Sequence, residues 1–157
     1  MHDSEPLITI DSKVPQHMRD LDDVRRALGL HPPSHEQVQP DEIRLMLQED
    51  HLEIWDETSR RRGFRVDFSG IDTRTGSGGL SRHQPLGRAV GGREARRSGT
   101  SFSVIDATAG FGHDAFLLAC MGHVVEAIER NPVIHFLLES SINHAARDPE
   151  LSSAMGD

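Results

Sequence analysis

The chain has 157 residues, of which 36% are hydrophobic and 4% aromatic, and it carries a formal net charge of −8. This length and composition predict an ordinary globular protein of about one domain. The single cysteine excludes an internal disulfide and favours a reducing cytoplasm. No apolar run approaches the length of about 18 residues that a membrane span needs, and the N-terminus lacks the basic start of a signal peptide, so no membrane association is expected.

Residues 1–70 are predicted to form a small N-terminal α/β lobe. Residues 7–10 are a possible strand, and residues 21–30 form a predicted helix that Gly29 or the prolines after it would end. Apolar and polar residues then alternate, which predicts a meander of half-buried strands. The three alternating stretches are 43–48, 51–55 and 64–68.

Residues 71–100 are predicted to be a basic connector rich in glycine and arginine. Between Arg60 and Arg97, ten arginines stand against three acidic residues, although the chain as a whole is acidic. One guanidinium group can bind two phosphate oxygens at once, so this stretch is predicted to contact RNA. The alternative is that it forms a solvated linker. The candidate RNA contacts are Arg60, Arg61, Arg62, Arg82 and Arg88. A short helix over 81–90 would bring the last two towards the glycine loop that follows.

The most informative stretch is residues 104–114, a short apolar strand that ends on Asp106 and opens into a glycine turn. An apolar helix follows, and then a second apolar strand over 123–128 that ends on Glu129. Strand, glycine loop, helix, strand and terminal acid make the first half of a nucleotide-binding α/β unit. A partial domain of this kind is therefore predicted over residues 101–157.

Asn131 and Pro132 predict the start of another helix after this unit, because asparagine caps helices and proline favours their first position. The predicted core positions of that helix are Val133, Phe136, Leu137 and Ile142. Their helical spacing indicates packing and not chemistry.

The spacing within the glycine loop bears on the cofactor. Gly110, Gly112 and Ala115 fit the loose G-x-G-x-x-A pattern of dinucleotide-binding proteins, so an NAD-type oxidoreductase stays open. Asp106 is not part of that pattern, and the D-x-x-x-G-x-G arrangement that it opens resembles the first motif of class I S-adenosylmethionine-dependent methyltransferases. The resemblance implies that a carboxylate near the loop meets the ammonium of that cofactor. The glycines would let the backbone approach its methionine moiety, and Glu129 would accept hydrogen bonds from both ribose hydroxyls.

Asp-Ala-Thr-Ala-Gly-Phe-Gly-His-Asp-Ala-Phe at 106–116, followed by Glu129-Arg-Asn-Pro-Val133, resembles the ribosomal RNA small subunit (guanine-N2) methyltransferase J family. The similarity continues upstream, in the same order, at 51–54, 66–70 and 85–91. The resemblance implies a class I, Rossmann-like enzyme that uses S-adenosylmethionine to methylate small-subunit ribosomal RNA. It adds cofactor contacts at His113, Asp114 and Arg130. The predicted cofactor-binding set is Asp106, Gly110, Gly112, His113, Asp114, Glu129 and Arg130.

Later segments of that family have no counterpart among these residues, namely a Ser-Ser pair after the third strand and an Asp-Pro-Met-Phe-Pro segment at the reaction centre. The expected fold is therefore a small N-terminal α/β lobe followed by the incomplete first half of a class I methyltransferase sheet. The catalytic residues are unknown, and the chain alone is expected to be inactive and marginally folded. A non-catalytic RNA-binding remnant is a further alternative.

Other chemistries have little support in the sequence. His31 and His35 are separated by two prolines, so their rings do not share a helical face, and no metal site is predicted. Motifs of serine hydrolases, P-loop NTPases and thiol-redox proteins are absent from the sequence. The sequence leaves the oligomeric state open.

Overall fold

A computed structural model describes residues 7–12, 14, 18–49, 51–58, 63–74, 80, 84–90 and 100–156, without the side chains of 18–20. The chain divides into two compact units, residues 1–66 and 67–157. None of the helices described is long and apolar enough to cross a membrane.

The N-terminal unit is an α/β sandwich of one helix and one sheet. Its strands are β1 (Leu7–Ser12), β2 (Glu42–Leu47) and β3 (Leu52–Trp55), and its helix is α1 (Met18–Leu28). β1 pairs parallel to β2 and β3 pairs antiparallel to it, so the sheet order is β1-β2-β3. Gly29, one of the two predicted ends, ends α1, with a φ of +66°. The amide of Leu30 then donates to the carbonyl of Arg25 at 2.9 Å, as in a Schellman cap.

The prediction of a third meander strand over 64–68 is wrong. Phe64 exchanges backbone hydrogen bonds of 2.6 and 2.8 Å with Ile54, but this is an isolated bridge and not a ladder. The chain turns soon afterwards, because Asp67 Oδ1 accepts a hydrogen bond from the Ser69 amide at 2.9 Å. Such a local side-chain bond competes with strand pairing. Val66 and Phe68 are therefore buried by packing of their side chains, although the segment does not form a strand.

β2 is buried on both faces, although the alternating pattern placed Arg44 on an exposed face. Arg44 is only 3% exposed, and its guanidinium bonds both carboxylate oxygens of Glu42 at 2.9 and 3.0 Å. It also donates to the backbone carbonyls of His35 and Glu36, while Thr9 Oγ1 donates to Glu42 at 2.6 Å. A buried charge is tolerated where it is paired and hydrogen-bonded in this way. Central position in the sheet, with β1 on one edge and β3 on the other, explains the burial.

The C-terminal unit follows the predicted order of strand, glycine loop, helix and strand. Its elements are α2 (Pro85–Ala89), β4 (Ser103–Asp106), α3 (His113–Cys120), β5 (Val124–Ala127), α4 (Pro132–Arg147) and α5 (Pro149–Met155). β4 and β5 pair in parallel, from Ser103 opposite Val124 to Asp106 opposite Ala127. A parallel pair joined through a helix confirms the α/β class.

Capping explains where the last two helices begin. Asn131 Oδ1 accepts hydrogen bonds from the next two helical amides at 2.9 and 3.2 Å, which confirms the predicted start of α4 at Pro132. Asp148 and Pro149 repeat this arrangement at the start of α5, a helix that was not predicted.

The expectation that Ile142 is a core residue is wrong. Its side chain is exposed and lines a pocket of about 170 Å³ beside Ala127.

The two faces of the β4–β5 pair differ in burial. Val104 and Val125 pack against a core cluster of Leu80, Leu118 and Met121. On the opposite face the exposed apolar side chains are Ile105, Val124 and Ile128, at 65%, 68% and 45% exposure. Parallel strands in complete sheets are buried on both faces, so the described residues leave one face of this pair uncovered.

Acid should weaken the N-terminal unit through Glu42. Burial opposes ionisation of this carboxyl, but hydrogen bonds from Arg44, Thr9 and the Gln39 amide outweigh it and lower the pKa of Glu42 from 4.5 to about 2. A lowered folded pKa contributes stability above about pH 4.5, and this contribution is lost as the pH falls towards 2. We expect about 3 kcal/mol of the free energy of unfolding to disappear over that window.

Urea unfolding from pH 7 to pH 2, followed by the fluorescence of Trp55 in β3, measures this loss. Glu42→Gln should be less stable at neutral pH, because Arg44 then lacks its charged partner, and its stability should depend less on pH. Asp41→Asn, at a neighbouring exposed carboxylate, is the matched control. Equal pH dependence in the wild type and Glu42→Gln would contradict the assignment.

Candidate functional site

The loop that joins β4 to α3, residues 107–112, is tied to the end of β5 by backbone hydrogen bonds. The amide of Ile128 donates to the carbonyl of Asp106 at 2.8 Å, and the amide of Ala109 donates to the carbonyl of Ile128 at 3.0 Å. The hydrogen-bonded register of β4 and β5 thus continues into the loop. The amide of Gly112 donates to the carbonyl of Ala109 at 2.8 Å and closes the turn in front of α3.

The two loop glycines meet different surroundings. Both have left-handed backbone conformations, with φ of +54° at Gly110 and +78° at Gly112, which side-chain-bearing residues rarely adopt. A Cβ atom at Gly110 would have no neighbour within 4 Å, whereas one at Gly112 would overlap Leu138 Cδ1. Gly110 therefore leaves open space in front of the loop, as a close approach of a cofactor would need. Gly112 is required by packing within the protein.

Glu129 connects the loop to the helix that follows β5. Its Oε2 accepts a hydrogen bond from the Gly110 amide at 3.0 Å, and its Oε1 accepts one from the Asn131 amide at 2.7 Å. The Asn131 amide first, and then the Gly110 amide, lower the pKa of Glu129, so the side chain is a carboxylate at neutral pH. A carboxylate has about four acceptor positions, so acceptor capacity remains for a further donor.

The remaining predicted cofactor residues lie at the ends of the same elements. Asp106, the last residue of β4, accepts a hydrogen bond from the Thr108 amide at 3.2 Å. His113 and Asp114 are exposed in the first turn of α3, and Arg130 is exposed next to Glu129. The structure therefore places all seven predicted residues on the loop or beside it.

Two supporting residues were not singled out as part of the site. The ring of Phe68 stacks on the ring of Phe116 with centroids 4.4 Å apart, and it meets the ring of His113 edge-on at 5.9 Å. Leu138, on α4, fills the space beneath Gly112. Phe68 lies in one of the segments that carry the family resemblance, but its alternating neighbours indicated a strand. The Asp67-x-Ser69 spacing, which favours a side-chain turn, was the available signal.

The candidate RNA contacts are only partly described. Arg60, Arg61, Arg62 and Arg82 lie outside the described residues. Arg88 is exposed on α2, a helix that begins at Pro85 and not at residue 81 as predicted. Leu86 and Val90 pack against Leu118 and Met121, near the C-terminal end of α3. The described contacts of α2 are thus with this core cluster, and the approach of Arg88 to the glycine loop stays a prediction.

Comparison with known proteins adds to this geometry. Residues 30–157 match the family model SAM_MT, which describes SAM-dependent methyltransferases. Over 139 residues the chain is 33% identical to the ribosomal RNA small subunit methyltransferase J of Photobacterium profundum, covering 87% of this chain and 51% of that protein. The protein of the same name from Thioalkalivibrio sulfidiphilus is 46% identical over 74 residues, covering 47% of this chain and 28% of that protein.

A crystal structure of a SAM-dependent methyltransferase from Neisseria gonorrhoeae is also similar. It matches with a TM-score of 0.59 and 27% sequence identity, over 94% of this chain and 56% of that one. The chain spans about half the length or less of the curated relatives that it matches.

Substituting alanine at each loop glycine should show which of the two positions is restricted by packing. Gly112→Ala combines a left-handed backbone with overlap on buried Leu138, and we expect a loss of about 2–4 kcal/mol in the free energy of unfolding. Gly110→Ala meets open space and should lose only about 1–2 kcal/mol from its backbone conformation. Denaturant unfolding measures both. An equal loss in the two variants would show that Leu138 does not restrict position 112.

Proposed function

The chain belongs to the SAM-dependent methyltransferase family, and we propose that its glycine loop and the end of β5 bind S-adenosylmethionine for methyl transfer to small-subunit ribosomal RNA. The family match favours this cofactor over the dinucleotide that the loop spacing alone left open. The proposed contacts are Asp106, Gly110, Gly112, His113, Asp114, Glu129 and Arg130.

The arrangement of Glu129 is the observation that carries this proposal. Its carboxylate stands at the end of the second parallel strand, where α/β proteins of this class bind the ribose of a cofactor. The two backbone amides that it accepts from fix its position, and acceptor capacity remains for a ribose hydroxyl. Gly110, whose amide is one of those donors, presents open space on the same loop.

These residues divide the work of binding the cofactor. The backbone at Gly110 would lie along the methionine moiety, Glu129 would hold the ribose, and Asp106 would meet the ammonium group. The bound cofactor supplies a methyl group made electrophilic by the sulfonium. Methyl transfer of this kind depends largely on proximity and orientation of the acceptor. No residue of this chain is assigned to the catalytic step.

The substrate proposal is carried by the relatives and by charge. The matched relatives are named as ribosomal RNA small subunit methyltransferases, and the resemblance implies the exocyclic N2 amine of a guanine as the acceptor. The arginine-rich stretch from Arg60 to Arg97 would contact RNA phosphates. An RNA substrate in the ribosome agrees with the predicted cytoplasmic location.

Binding and catalysis are separable in this proposal. We expect the 157-residue chain to bind the cofactor without methylating RNA on its own, because it spans about half of its matched relatives or less and holds no assigned catalytic residue. Incubation with labelled S-adenosylmethionine and small-subunit RNA measures this directly. Incorporation above background would show that the chain contains the catalytic groups. RNA binding without cofactor binding would favour the non-catalytic remnant.

Calorimetric titration with S-adenosylhomocysteine tests the cofactor proposal. We expect saturable binding by the wild-type chain and none with NADH. Glu129→Ala should weaken affinity by about tenfold or more, because it removes charge-assisted hydrogen bonds to the ribose and the anchor of the Gly110 amide. Glu129→Gln, which keeps one acceptor oxygen, should lose less.

Glu126→Ala is the matched control, because Glu126 is an exposed glutamate on the same strand that pairs opposite Ile105. It should bind S-adenosylhomocysteine as the wild type does. Unchanged affinity in Glu129→Ala would reject the role of Glu129. Preference of the wild type for NADH would reject the choice of cofactor.

Salt dependence tests the RNA proposal. Affinity for a small-subunit RNA fragment should fall with salt, with each neutralised phosphate adding about −0.7 to −0.9 to the log–log slope. A triple variant in which glutamine replaces Arg60, Arg61 and Arg62 should have a slope that is shallower by about two units. Arg26→Gln, on an exposed arginine already paired with Asp23, is the control. An unchanged slope in the triple variant would leave the linker interpretation of that stretch.

A further inference from the structure

The segment before the connector places one aromatic ring against the proposed cofactor site. Phe68 is 2% exposed, and a compact turn presents it. Asp67 Oδ1 accepts from the Ser69 amide, and the Ile71 amide donates to the Phe68 carbonyl at 3.0 Å. The backbone on both sides of Phe68 is therefore held by hydrogen bonds, so the Cα position from which the ring projects is fixed.

Three residues at the start of α3 surround that ring. Phe116 lies parallel to Phe68, with an angle of 6° between the rings and centroids 4.4 Å apart. His113 approaches edge-on at 5.9 Å and 74°, and a Cβ at Gly112 would lie 3.7 Å from Phe68 Cζ. Stacked and edge-to-face arrangements are the favoured geometries of aromatic pairs. One ring thus contacts an exposed side chain of the site and lies beside the space that a side chain at Gly112 would occupy.

The exposure of His113 distinguishes this contact from ordinary core packing. Phe68 and Phe116 are buried, but the His113 side chain is exposed in the first turn of α3. An exposed ring at a helix start is free to adopt several rotamers unless a neighbour selects one. The ring of His113 contacts the ring of Phe68, whose own position is fixed by Phe116 and by the turn at Asp67. Phe68 therefore restricts a residue whose outer side remains open to a ligand.

We propose that Phe68 is a positioning residue for the cofactor site, which acts by orienting the ring of His113 towards bound S-adenosylmethionine. The inference rests on the proposed function, because His113 is a cofactor contact only if the loop binds that cofactor. Phe68 itself does not touch the ligand. Removing its ring should release His113, and the control variant measures how much of the effect comes from lost packing.

Titration of S-adenosylhomocysteine into variants of the full chain tests this inference. Phe68→Leu keeps an apolar side chain but removes the aromatic contacts, and it should weaken affinity about three- to tenfold. Leu118→Val, which trims the core at the far end of α3, is the matched control for lost packing and should change affinity by less than about twofold. If Phe68→Leu does not fold, Phe68→Met, which conserves volume, replaces it.

A double-mutant cycle tests whether Phe68 affects the affinity through His113. His113→Ala should weaken binding by itself, and adding Phe68→Leu to it should cause no further loss, because the residue being oriented is already gone. In the cofactor-free protein, the NMR couplings that report the His113 χ1 angle should average over several rotamers in Phe68→Leu and stay unchanged in Leu118→Val. If Phe68 had only a structural role, the two effects on affinity would be additive and the His113 rotamer would not change.

The outcomes distinguish failure of the proposed function from failure of this inference alone. If the wild-type chain does not bind S-adenosylhomocysteine, the proposed function fails, and this inference fails with it. If the wild type binds but Phe68→Leu matches Leu118→Val, or if the Phe68 and His113 effects are additive, only the positioning role is rejected.

Discussion

The hydrogen-bonded join between β4, the glycine loop and the end of β5 is the constraint on which the C-terminal unit depends. The ladder does not stop at its last paired residues, because Ile128 bonds both Asp106 and Ala109. Glu129 then bonds the amide of Gly110 through its side chain. The loop backbone is therefore ordered by its own neighbours. A site that is ordered before binding loses less conformational entropy when the ligand arrives, which favours affinity.

Glu129 also couples the loop to the last part of the unit. One carboxylate oxygen accepts from Gly110 and the other from Asn131, whose side chain caps α4. α4 in turn supplies Leu138, which fills the space that a side chain at Gly112 would need. The strand end, the loop and the helix thus depend on one another through a few contacts. This arrangement explains why an acid at the end of the strand is useful to the fold as well as to a ligand.

The parts that the sequence predicted are those with local signals. Glycine spacing, apolar runs and the Asn131 cap are each set within a few residues, so the strand–loop–helix–strand order and the seven cofactor candidates could be named. The errors have two origins. Pairing of β1 with β2 places Arg44 in a buried position through a contact distant in sequence, although its ion-pair partner Glu42 is only two residues away. The strand expected over 64–68 was wrong for a local reason, the Asp67–Ser69 turn, whereas the stacking of Phe68 on Phe116 joins residues 48 apart.

The features that shape the proposed cofactor site all lie within the C-terminal unit. Phe68 and Leu138 pack beside the loop, and Glu129 bonds its Gly110 amide. The exposed face of the β4–β5 pair, which carries Ile105 and Val124, takes no part in these contacts. Cofactor binding should therefore not require that face to be covered. Methyl transfer has a further requirement, because an acceptor amine must be held in line with the reacting methyl group. Binding and catalysis thus make separate demands on the structure, and the residues proposed for cofactor binding answer only the first.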